Sequence, residues 1–335
     1  MKKRRVLVLT HPDFIPPEDV TDIQDPALDA CLTEFDVIQN LKMLGHDVEI
    51  LGVAEDLSRL RLAIEGFKPH ICFNLIEEFH GQPLFDQHVV SYLELLKQKY
   101  TGCNPRGLTI CHDKALCKKI LTYHRIPTPA FQVFQRGRKV KRKKNLQFPL
   151  LVKSLVEEAS LGISQASIVH NDDKLAERVE FIHNKIETDA LVEEYIDGRE
   201  LYLGVMGNTR LTPLPLWETW FENLPKGSAP IATRKVKWDV EYQEKIGLES
   251  GPARDIPKDL EKKVVHIAKR AYKALGLSGY ARLDFRLSED GKIYVLEVNP
   301  NPDIASHQEF ALSAEKSKIK YPELLNKILG MGLGR

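Results

Sequence analysis

Two acidic side chains, Asp284 and Glu297, are spaced so that they could act together on a metal ion. They lie in the runs ARLDFRL and KIYVLEV, in which apolar and polar residues alternate with the period of two that is typical of β-strands. The dipeptide Asp290-Gly291 between the runs predicts a hairpin with those two residues at the centre of the turn. The register predicted from this turn pairs Glu289 with Lys292 and, further along, Asp284 with Glu297.

Carboxylates that face each other across two strands repel and destabilise the sheet unless something offsets the repulsion. The same register places Arg282 opposite Asn299, close to the two acids. Two carboxylates and an amide oxygen form an all-oxygen ligand set of the kind that binds Mg²⁺, and a neighbouring arginine suits an anion held by the metal. The hairpin therefore predicts a Mg²⁺ site made by Asp284, Glu297 and Asn299. The alternative is an exposed strand face without a ligand, or a pair in which one carboxylate stays protonated.

Residues that suit nucleotide binding precede the hairpin. Lys153 ends a buried-looking strand, where an ammonium group is unusual unless it meets an anion. The small residues that follow, among them Ser160, can bring backbone amides close to phosphate oxygens. The segment ALVEEYIDGRE predicts a strand with Glu193 and Tyr195 on one face, an edge that can pair with adenine, and Glu200 as an acceptor for ribose hydroxyls. An ordinary solvated strand explains these residues equally well.

The first hundred residues alternate strands and helices, which predicts a parallel sheet covered by helices on both faces. The predicted strands are RVLVLT, DVEILGV and HICFNLI, and the predicted helices are Thr33 to Leu44, SRLRLAIEGF and Val89 to Leu96. Ligands of such sheets bind beyond the carboxyl ends of the strands, here near His11 to Asp13 and Glu77 to Gly81. No GxGxxG follows the first strand, so a dinucleotide site is not expected.

A new unit is predicted to begin at Asp113, the N-cap of the helix KALCKKILTYH, and to continue with the strands AFQVFQ and FPLLVKSL. The run from Arg136 to Lys144 between these strands holds seven basic residues in nine. We interpret it as a solvated loop; the alternative is a patch for nucleic acid or an acidic substrate. The terminal GMGLGR is interpreted as a frayed tail.

Composition excludes several classes of protein. The 335 residues are 43% hydrophobic and 28% charged with net charge +1, which is ordinary for a globular protein of two or three domains and gives no argument for a nucleic-acid or membrane partner. Five cysteines without a CxxC pair predict no disulfide scaffold and a reducing compartment. The apolar stretch after the basic N-terminus is shorter than that of a signal peptide, and no run is long enough to span a bilayer. We therefore expect a cytoplasmic protein.

The order of these motifs resembles the ATP-grasp superfamily and, within it, the D-alanine:D-alanine ligases. The likeness covers nearly the whole chain and also includes His80-Gly81, Gln87, Leu93-Glu94, Tyr100-Thr101-Gly102, and HDK at 112–114 followed by IPTP. It implies a chain of α/β and α+β units: an N-terminal Rossmann-like parallel-sheet domain at 1–110, a small central α+β ATP-grasp subdomain at 111–195, and a C-terminal ATP-grasp subdomain with the metal-binding hairpin at 196–335.

The resemblance also implies a site for ATP and two Mg²⁺ ions, which Mn²⁺ can replace. The implied ATP contacts are Lys114, Lys153 and Lys237 at the phosphates, Ser160 in the central loop, Glu193, Glu194, Tyr195 and Ile196 at the adenine, and Glu200 at the ribose. The implied metal ligands are Asp284, Glu297 and Asn299. Arg282 and Lys237 would stabilise the transition state. Asp303 beside the metals would orient an incoming ammonium group or accept its proton, unless it only faces solvent.

Departures from the family cluster on the amino-acid side. The Ser-x-Glu loop after the first strand is replaced by LTHPDFIPPEDV, and the central-loop EGSSVG reads EEASLG at 157–162. A family tyrosine becomes Trp238, and a family glycine becomes Asp303. Because the ATP and metal side matches while this side does not, we expect the same chemistry on a different substrate.

The expected reaction is ATP-dependent joining of a carboxylate and an amine, both small molecules such as amino acids or peptides, through an acyl phosphate. A homodimer is one of the oligomeric states that the sequence allows. The alternatives are a kinase of the same fold that phosphorylates a small molecule, and a nucleotide-binding protein without turnover.

Overall fold

The computed structural model describes residues 2–17, 20, 25–156 and 162–334. Its N-terminal part has the strands β1 (Arg5–Thr10), β2 (Asp47–Gly52) and β3 (Ile71–Asn74) and the helices α1 (Leu32–Met43), α2 (Leu57–Phe67) and α3 (Asp86–Leu95). The strands form a parallel sheet in the order β2-β1-β3, as the alternation of strands and helices predicted. Both faces of β1 are buried, since Val6 and Val8 join one core cluster and Leu7 and Leu9 another.

The central part contains an antiparallel sheet in the order β4-β7-β5-β6. Its elements are α4 (Pro105–His112), α5 (Lys114–Tyr123), β4 (Phe131–Phe134), β5 (Leu150–Ser154), β6 (Ile168–Val169), α6 (Asp172–Phe181) and β7 (Ala190–Glu194). Asp113 caps α5 as predicted, because its carboxylate accepts a hydrogen bond from the Leu116 N–H at 2.9 Å.

The basic run between β4 and β5 has no helix or strand, in agreement with its interpretation as a loop. It folds back over the edge strand β4, where the Gln132 side chain donates to the Lys141 carbonyl and accepts from the Lys143 N–H, both at 2.9 Å. Covering an edge strand with a charged loop prevents unwanted pairing with other strands. The run therefore has a structural reason for its position and its charge.

The C-terminal part contains a six-stranded sheet in the order β11-β10-β8-β12-β13, with β9 paired to β8. Its strands are β8 (Arg199–Met206), β9 (Thr212–Pro213), β10 (Trp217–Phe221), β11 (Leu248–Pro252), β12 (Tyr280–Leu287) and β13 (Ile293–Pro300). Its helices are α7 (Arg234–Trp238), α8 (Val240–Ile246), α9 (Lys258–Ala274), α10 (Glu309–Lys316) and α11 (Tyr321–Leu333). The domain boundary predicted at 110/111 falls inside α4, between β3 and β4 in the chain, and the one predicted at 195/196 falls between β7 and β8. Both boundaries stay predictions.

The interpretation of the terminal GMGLGR as a frayed tail is wrong, because α11 continues to Leu333 and packs on the N-terminal sheet. Leu325 and Leu329 of this helix share a core cluster with Val6. Gly332 lies so close to the Tyr100 carbonyl that a Cβ atom there would clash with it. Glycine thus serves a close approach between helix and backbone here rather than flexibility.

Two further predictions concern cysteines and membrane segments. All five cysteines are buried and free, as expected for a chain without a disulfide scaffold. Across the part of the chain that the structure describes, no helix is both long and apolar enough to cross a bilayer.

Candidate active site

The hairpin of β12 and β13 brings the predicted metal ligands together. Asp284 pairs with Glu297, and Arg282 pairs with Asn299, so both predicted cross-strand pairs are confirmed. All four residues lie near the end of the hairpin that is distant from its turn. One wall of a cavity thus carries two acids, an amide and a guanidinium group.

The predicted turn of this hairpin is wrong. Ser288, not Glu289, pairs with Lys292, because the Ser288 N–H donates to the Lys292 carbonyl at 3.0 Å. The loop therefore has three residues, and it ends in Gly291 at φ 75°, the left-handed region that glycine tolerates. The strands leave this turn one residue out of the predicted register.

A β-bulge corrects that offset. Phe285 pairs with Val295 while Asp284 pairs with Glu297, so Leu296 is the extra residue in β13. Asp284 and Glu297 face each other because two one-residue offsets cancel. The meeting of the two acids thus depends on the bulge as well as on the turn.

Cations offset the repulsion between the two facing acids. Arg282 donates to both oxygens of Asp284 at 2.8 and 3.1 Å, and the Asn299 amide donates to the same carboxylate at 3.0 Å. Lys114 Nζ lies 3.1 Å from Glu297 Oε1. Burial raises the pKa of Asp284, which Arg282 offsets only in part. Burial also opposes ionisation of Glu297, but nearby lysines, Lys114 foremost, outweigh it and hold the pKa of Glu297 at about 2.

Behind the hairpin, two lysines share one buried carboxylate. Lys118 and Lys153 each place Nζ 2.8 Å from an oxygen of Glu193, and the three residues are 2%, 7% and 2% exposed, respectively. Burial alone would raise the pKa of Glu193, but the two lysines outweigh burial and lower it. Sequence reasoning missed Lys118. Its position one helical turn after Lys114 on α5 was the available signal.

Two cavities, of about 610 and 530 Å³, adjoin at the hairpin of β12 and β13. The side chains common to both are Lys153, Ile163, Lys237, Arg282, Asp284, Glu297 and Asp303. Lys237 comes from the short helix α7, whose N-cap Thr233 accepts from the Val236 N–H at 3.2 Å. The structure thus brings together the three predicted catalytic residues and two of the three predicted metal ligands. It also brings together two of the three predicted phosphate lysines, Lys153 and Lys237, the second of which is also one of the catalytic residues.

The second cavity extends to the predicted adenine hinge, with one correction. The segment ALVEEYIDGRE is not one strand, since β7 ends at Glu194 and β8 begins at Arg199. Strand β7 lies between β4 and β5, so it offers no free edge. The N–H groups of Glu194 and Tyr195 already donate to the carbonyls of Ala130 and Pro149, both at 2.9 Å. Of these hinge amides, only the Ile196 N–H lacks a hydrogen-bond partner among the described residues.

Glu200, the predicted ribose contact, lies on β8 in the same cavity. Its carboxylate accepts a hydrogen bond from Arg286 at 2.9 Å and one from the Tyr202 hydroxyl at 2.8 Å. Sequence reasoning found neither partner. Arg286 lies opposite Glu200 only through the β8–β12 register, whereas Tyr202 is two residues further along β8, and the period of two in a strand was the available signal. These two donors hold Glu200 in place at the cavity wall.

The first cavity extends towards the N-terminal sheet. The segment after β1, where the sequence lacks the Ser-x-Glu loop, contributes His11, Asp13 and Phe14 to its wall. His11 Nε2 lies 3.5 Å from a carboxylate oxygen of Glu78, another residue of this wall. This end of the cavity is therefore polar and includes acidic groups.

Asp303 faces both cavities and also connects two parts of the chain. Its carboxylate accepts a hydrogen bond from the Thr33 hydroxyl of α1 at 2.8 Å and one from the Ala305 N–H at 2.9 Å.

The predicted contact Ser160 and its neighbours at 157–161 lie outside the described residues.

Comparison with known proteins identifies the family. Residues 120–330 match the family model described as the D-ala D-ala ligase C-terminus. The chain belongs to the D-alanine–D-alanine ligase family.

Related proteins align with the chain over most of its length. It is 32% identical over 88% of its length to the uncharacterised protein y4sG of Sinorhizobium fredii, of which it covers 85%. It is 30% identical over 79% of its length to a D-alanine–D-alanine ligase of Carboxydothermus hydrogenoformans, of which it covers 83%. Membership in the D-alanine–D-alanine ligase family, which consists of ATP-dependent ligases, agrees with the resemblance seen in the motifs.

Solved structures confirm the predicted ATP-grasp fold. The D-alanine–D-alanine ligase from Bacillus anthracis complexed with ATP aligns with a TM-score of 0.76 at 23% identity, over 100% of this chain and 98% of that one. The VanG D-Ala:D-Ser ligase from Enterococcus faecalis aligns with a TM-score of 0.71 at 19% identity, over 99% and 100% of the two chains. The mixed α/β and α+β architecture with an N-terminal parallel sheet is therefore the architecture of the D-alanine–D-alanine ligase family.

The predicted metal ligands suit Mg²⁺ in kind. Asp284, Glu297 and Asn299 offer hard oxygen atoms to one cavity. Within residues 2–17, 20, 25–156 and 162–334, no three or more His, Cys, Asp or Glu side chains surround a common metal position. A metal ion here therefore depends on the amide oxygen of Asn299 and on oxygens of a bound phosphate. It also has to compete with Arg282 and Lys114 for the two carboxylates.

Proposed function

We propose that the protein is an ATP-dependent ligase that joins a carboxylate to an amine through an acyl phosphate, with substrates other than two D-alanines. The observation that carries this proposal is the convergence of Lys153, Lys237 and Arg282 with Asp284 and Glu297 where the two cavities meet. Cations beside oxygen ligands are what transfer of a phosphoryl group requires.

In this proposal the second cavity binds ATP. The Ile196 N–H donates to the adenine at one end, Glu200 accepts from the ribose, and Lys153 contacts the phosphates at the other end. A volume of about 530 Å³ lies in the range of small-molecule and cofactor sites. Family membership supports ATP as the nucleotide.

Mg²⁺ held by Asp284, Glu297 and Asn299 would supply charge neutralisation and orientation of the phosphate chain. Lys153, Lys237 and Arg282 neutralise the charge that spreads over the oxygens of the transferred group. An oxygen of the substrate carboxylate attacks the γ-phosphorus, and ADP leaves. The amine, after losing a proton, attacks the acyl carbon, and phosphate leaves as the amide forms.

The first cavity is proposed to bind the acid and the amine. Its wall includes His11, Asp13 and Phe14 in place of the family's Ser-x-Glu loop, and Asp303 in place of a glycine. Asp303 is positioned by Thr33 and Ala305 and faces the hairpin, so it can hold an ammonium group or accept its proton. These differences support a substrate pair other than that of the D-alanine–D-alanine ligases.

Hydroxylamine trapping tests the proposal. Purified protein is incubated with Mg-ATP, hydroxylamine and a panel of amino acids, peptides and other carboxylates, and both ADP and hydroxamate are quantified. The proposal predicts carboxylate-dependent ADP with a matching amount of hydroxamate, since hydroxylamine replaces the unknown amine. ADP that depends on a hydroxyl compound, without hydroxamate, would instead support a kinase, and nucleotide binding without ADP would support a protein without turnover.

A further inference from the structure

Lys118 is a buried lysine that contacts Glu193 and the Leu296 carbonyl beside the candidate site but lines neither cavity. It lies on α5 with 2% of its surface exposed. Its Nζ donates to the Thr128 hydroxyl at 3.0 Å and to the Leu296 carbonyl at 3.1 Å, and it lies 2.8 Å from Glu193. An ammonium group loses much solvation free energy on burial, so three close oxygen partners are needed to hold it there.

The contact with Leu296 concerns the metal ligands. Leu296 is the bulged residue of β13, and the bulge determines that Glu297 rather than its neighbour faces Asp284. A bulge leaves backbone groups without their usual ladder partners, and here Lys118 binds the carbonyl of the bulged residue. Lys118 therefore stabilises the local backbone conformation on which the position of Glu297 depends.

The contact with Glu193 concerns the phosphate lysine. Glu193 lies between Lys118 and Lys153 and shares its single negative charge between two cations. Lys153 is for this reason only partly neutralised, and it is the cation of the pair that lines the cavities. Without Lys118, Glu193 would form an ion pair with Lys153 alone. The positive charge of Lys153 would then attract a phosphate less strongly.

We propose that Lys118 is a positioning residue of the nucleotide site: through the Leu296 carbonyl it holds Glu297 opposite Asp284, and through Glu193 it leaves the charge of Lys153 available to phosphate. This inference rests on the proposed binding of Mg-ATP. It also assigns Glu193, which lines the second cavity, to the positioning of Lys153.

The test is calorimetric binding of the ATP analogue AMP-PNP to wild type, Lys118→Met and the control Lys119→Met, at a series of Mg²⁺ concentrations. Lys119 is the next residue on α5 and is exposed, so its variant removes the same charge from the helix without touching the buried contacts. Loss of a residue that orients metal ligands typically weakens binding roughly 10- to 100-fold. We expect Lys118→Met to raise the Kd for Mg-AMP-PNP by that factor and to raise the Mg²⁺ concentration for half-maximal binding. Lys119→Met should leave both unchanged.

If Lys118 serves folding alone, Lys118→Met should have a lower unfolding temperature, while the Kd of the folded variant stays within about twofold of wild type. That result would overturn the inference. If Lys118→Met does not fold, Lys118→Gln carries the test, because it removes the ammonium group that contacts Leu296 and Glu193 but keeps an N–H donor in the side chain. A Kd raised about fivefold in that variant supports the inference, and an unchanged Kd overturns it. Absence of binding in wild type would count against the proposed function itself, so the two failures are distinguishable.

Discussion

Replacing Glu297 with Gln removes one negative charge beside Lys114 and Lys153 while it nearly preserves the volume of the side chain. In the folded protein the pKa of Glu297 falls from an ordinary 4.5 to about 2, although burial opposes this. At about 1.4 kcal/mol per pH unit, the difference corresponds to about 3 kcal/mol. Because 29% of the side chain is exposed and partly screened by solvent, we expect Glu297→Gln to lower the free energy of unfolding by about 2 kcal/mol at pH 7.

The pH dependence has a definite sign. A carboxylate whose folded-state pKa is lowered contributes its full stabilisation above its unfolded-state pKa of 4.5 and loses it as the pH falls through about 2. The stability difference between wild type and Glu297→Gln should therefore be constant near neutral pH, fall by about half near pH 3, and vanish below the folded-state pKa.

Urea unfolding followed by circular dichroism measures this difference at each pH. Glu289→Gln in the exposed hairpin turn is the matched control and should unfold like wild type. Glu297→Gln should also abolish ATP turnover while remaining folded. Equal stability of Glu297→Gln and wild type at pH 7 would refute the electrostatic account of this residue, and wild-type turnover in the variant would refute its assignment as a metal ligand.

Ile196→Pro removes the one hinge N–H that has no partner among the described residues, so it should weaken nucleotide binding in a calorimetric titration, whereas Ile196→Val should not. Equal affinities of the two variants would rule out the proposed contact of Ile196 with adenine. Gly332→Ala places a Cβ against the Tyr100 carbonyl and should lower the free energy of unfolding by about 1 to 3 kcal/mol, which a thermal unfolding curve would show or exclude. Lys139→Ser combined with Lys141→Ser should leave nucleotide binding unchanged. Wild type should show no salt-dependent retention of DNA or RNA on filters, and such retention would support the nucleic-acid interpretation of the basic run.

The hairpin shows both the reach and the limit of prediction from sequence. Alternation of apolar and polar residues identified β12 and β13, and Asp290 and Gly291 identified a turn between them. The bulge at Leu296 depends on three-dimensional contacts, among them the one between Lys118 and the Leu296 carbonyl. The three-residue loop is a local alternative that a glycine in the left-handed region also permits. The pairing of Asp284 with Glu297 was predicted correctly by a register that is wrong at the turn.

The hinge and the lysine cluster show a second limit. The run from Ala190 to Glu200 was predicted as one strand, although Asp197-Gly198 inside it is a turn signal. The Tyr195 N–H still donates to the Pro149 carbonyl in continuation of the β5–β7 register, and the chain leaves the sheet after it. Lys118 lies one helical turn after Lys114, but only packing of α5 against β7 and β13 gives it buried partners. Long-range neighbours of this kind require the fold.

In the proposed reaction an acyl phosphate forms between the substrate carboxylate and the γ-phosphoryl group of ATP. The most direct measurement uses the acid found by hydroxylamine trapping, labelled with ¹⁸O in its carboxylate, and follows the label by ³¹P NMR of the released phosphate. The account predicts one ¹⁸O atom in each phosphate, because the attacking carboxylate oxygen leaves with phosphorus when the amine displaces it. Unlabelled phosphate released in step with amide formation would contradict the claim.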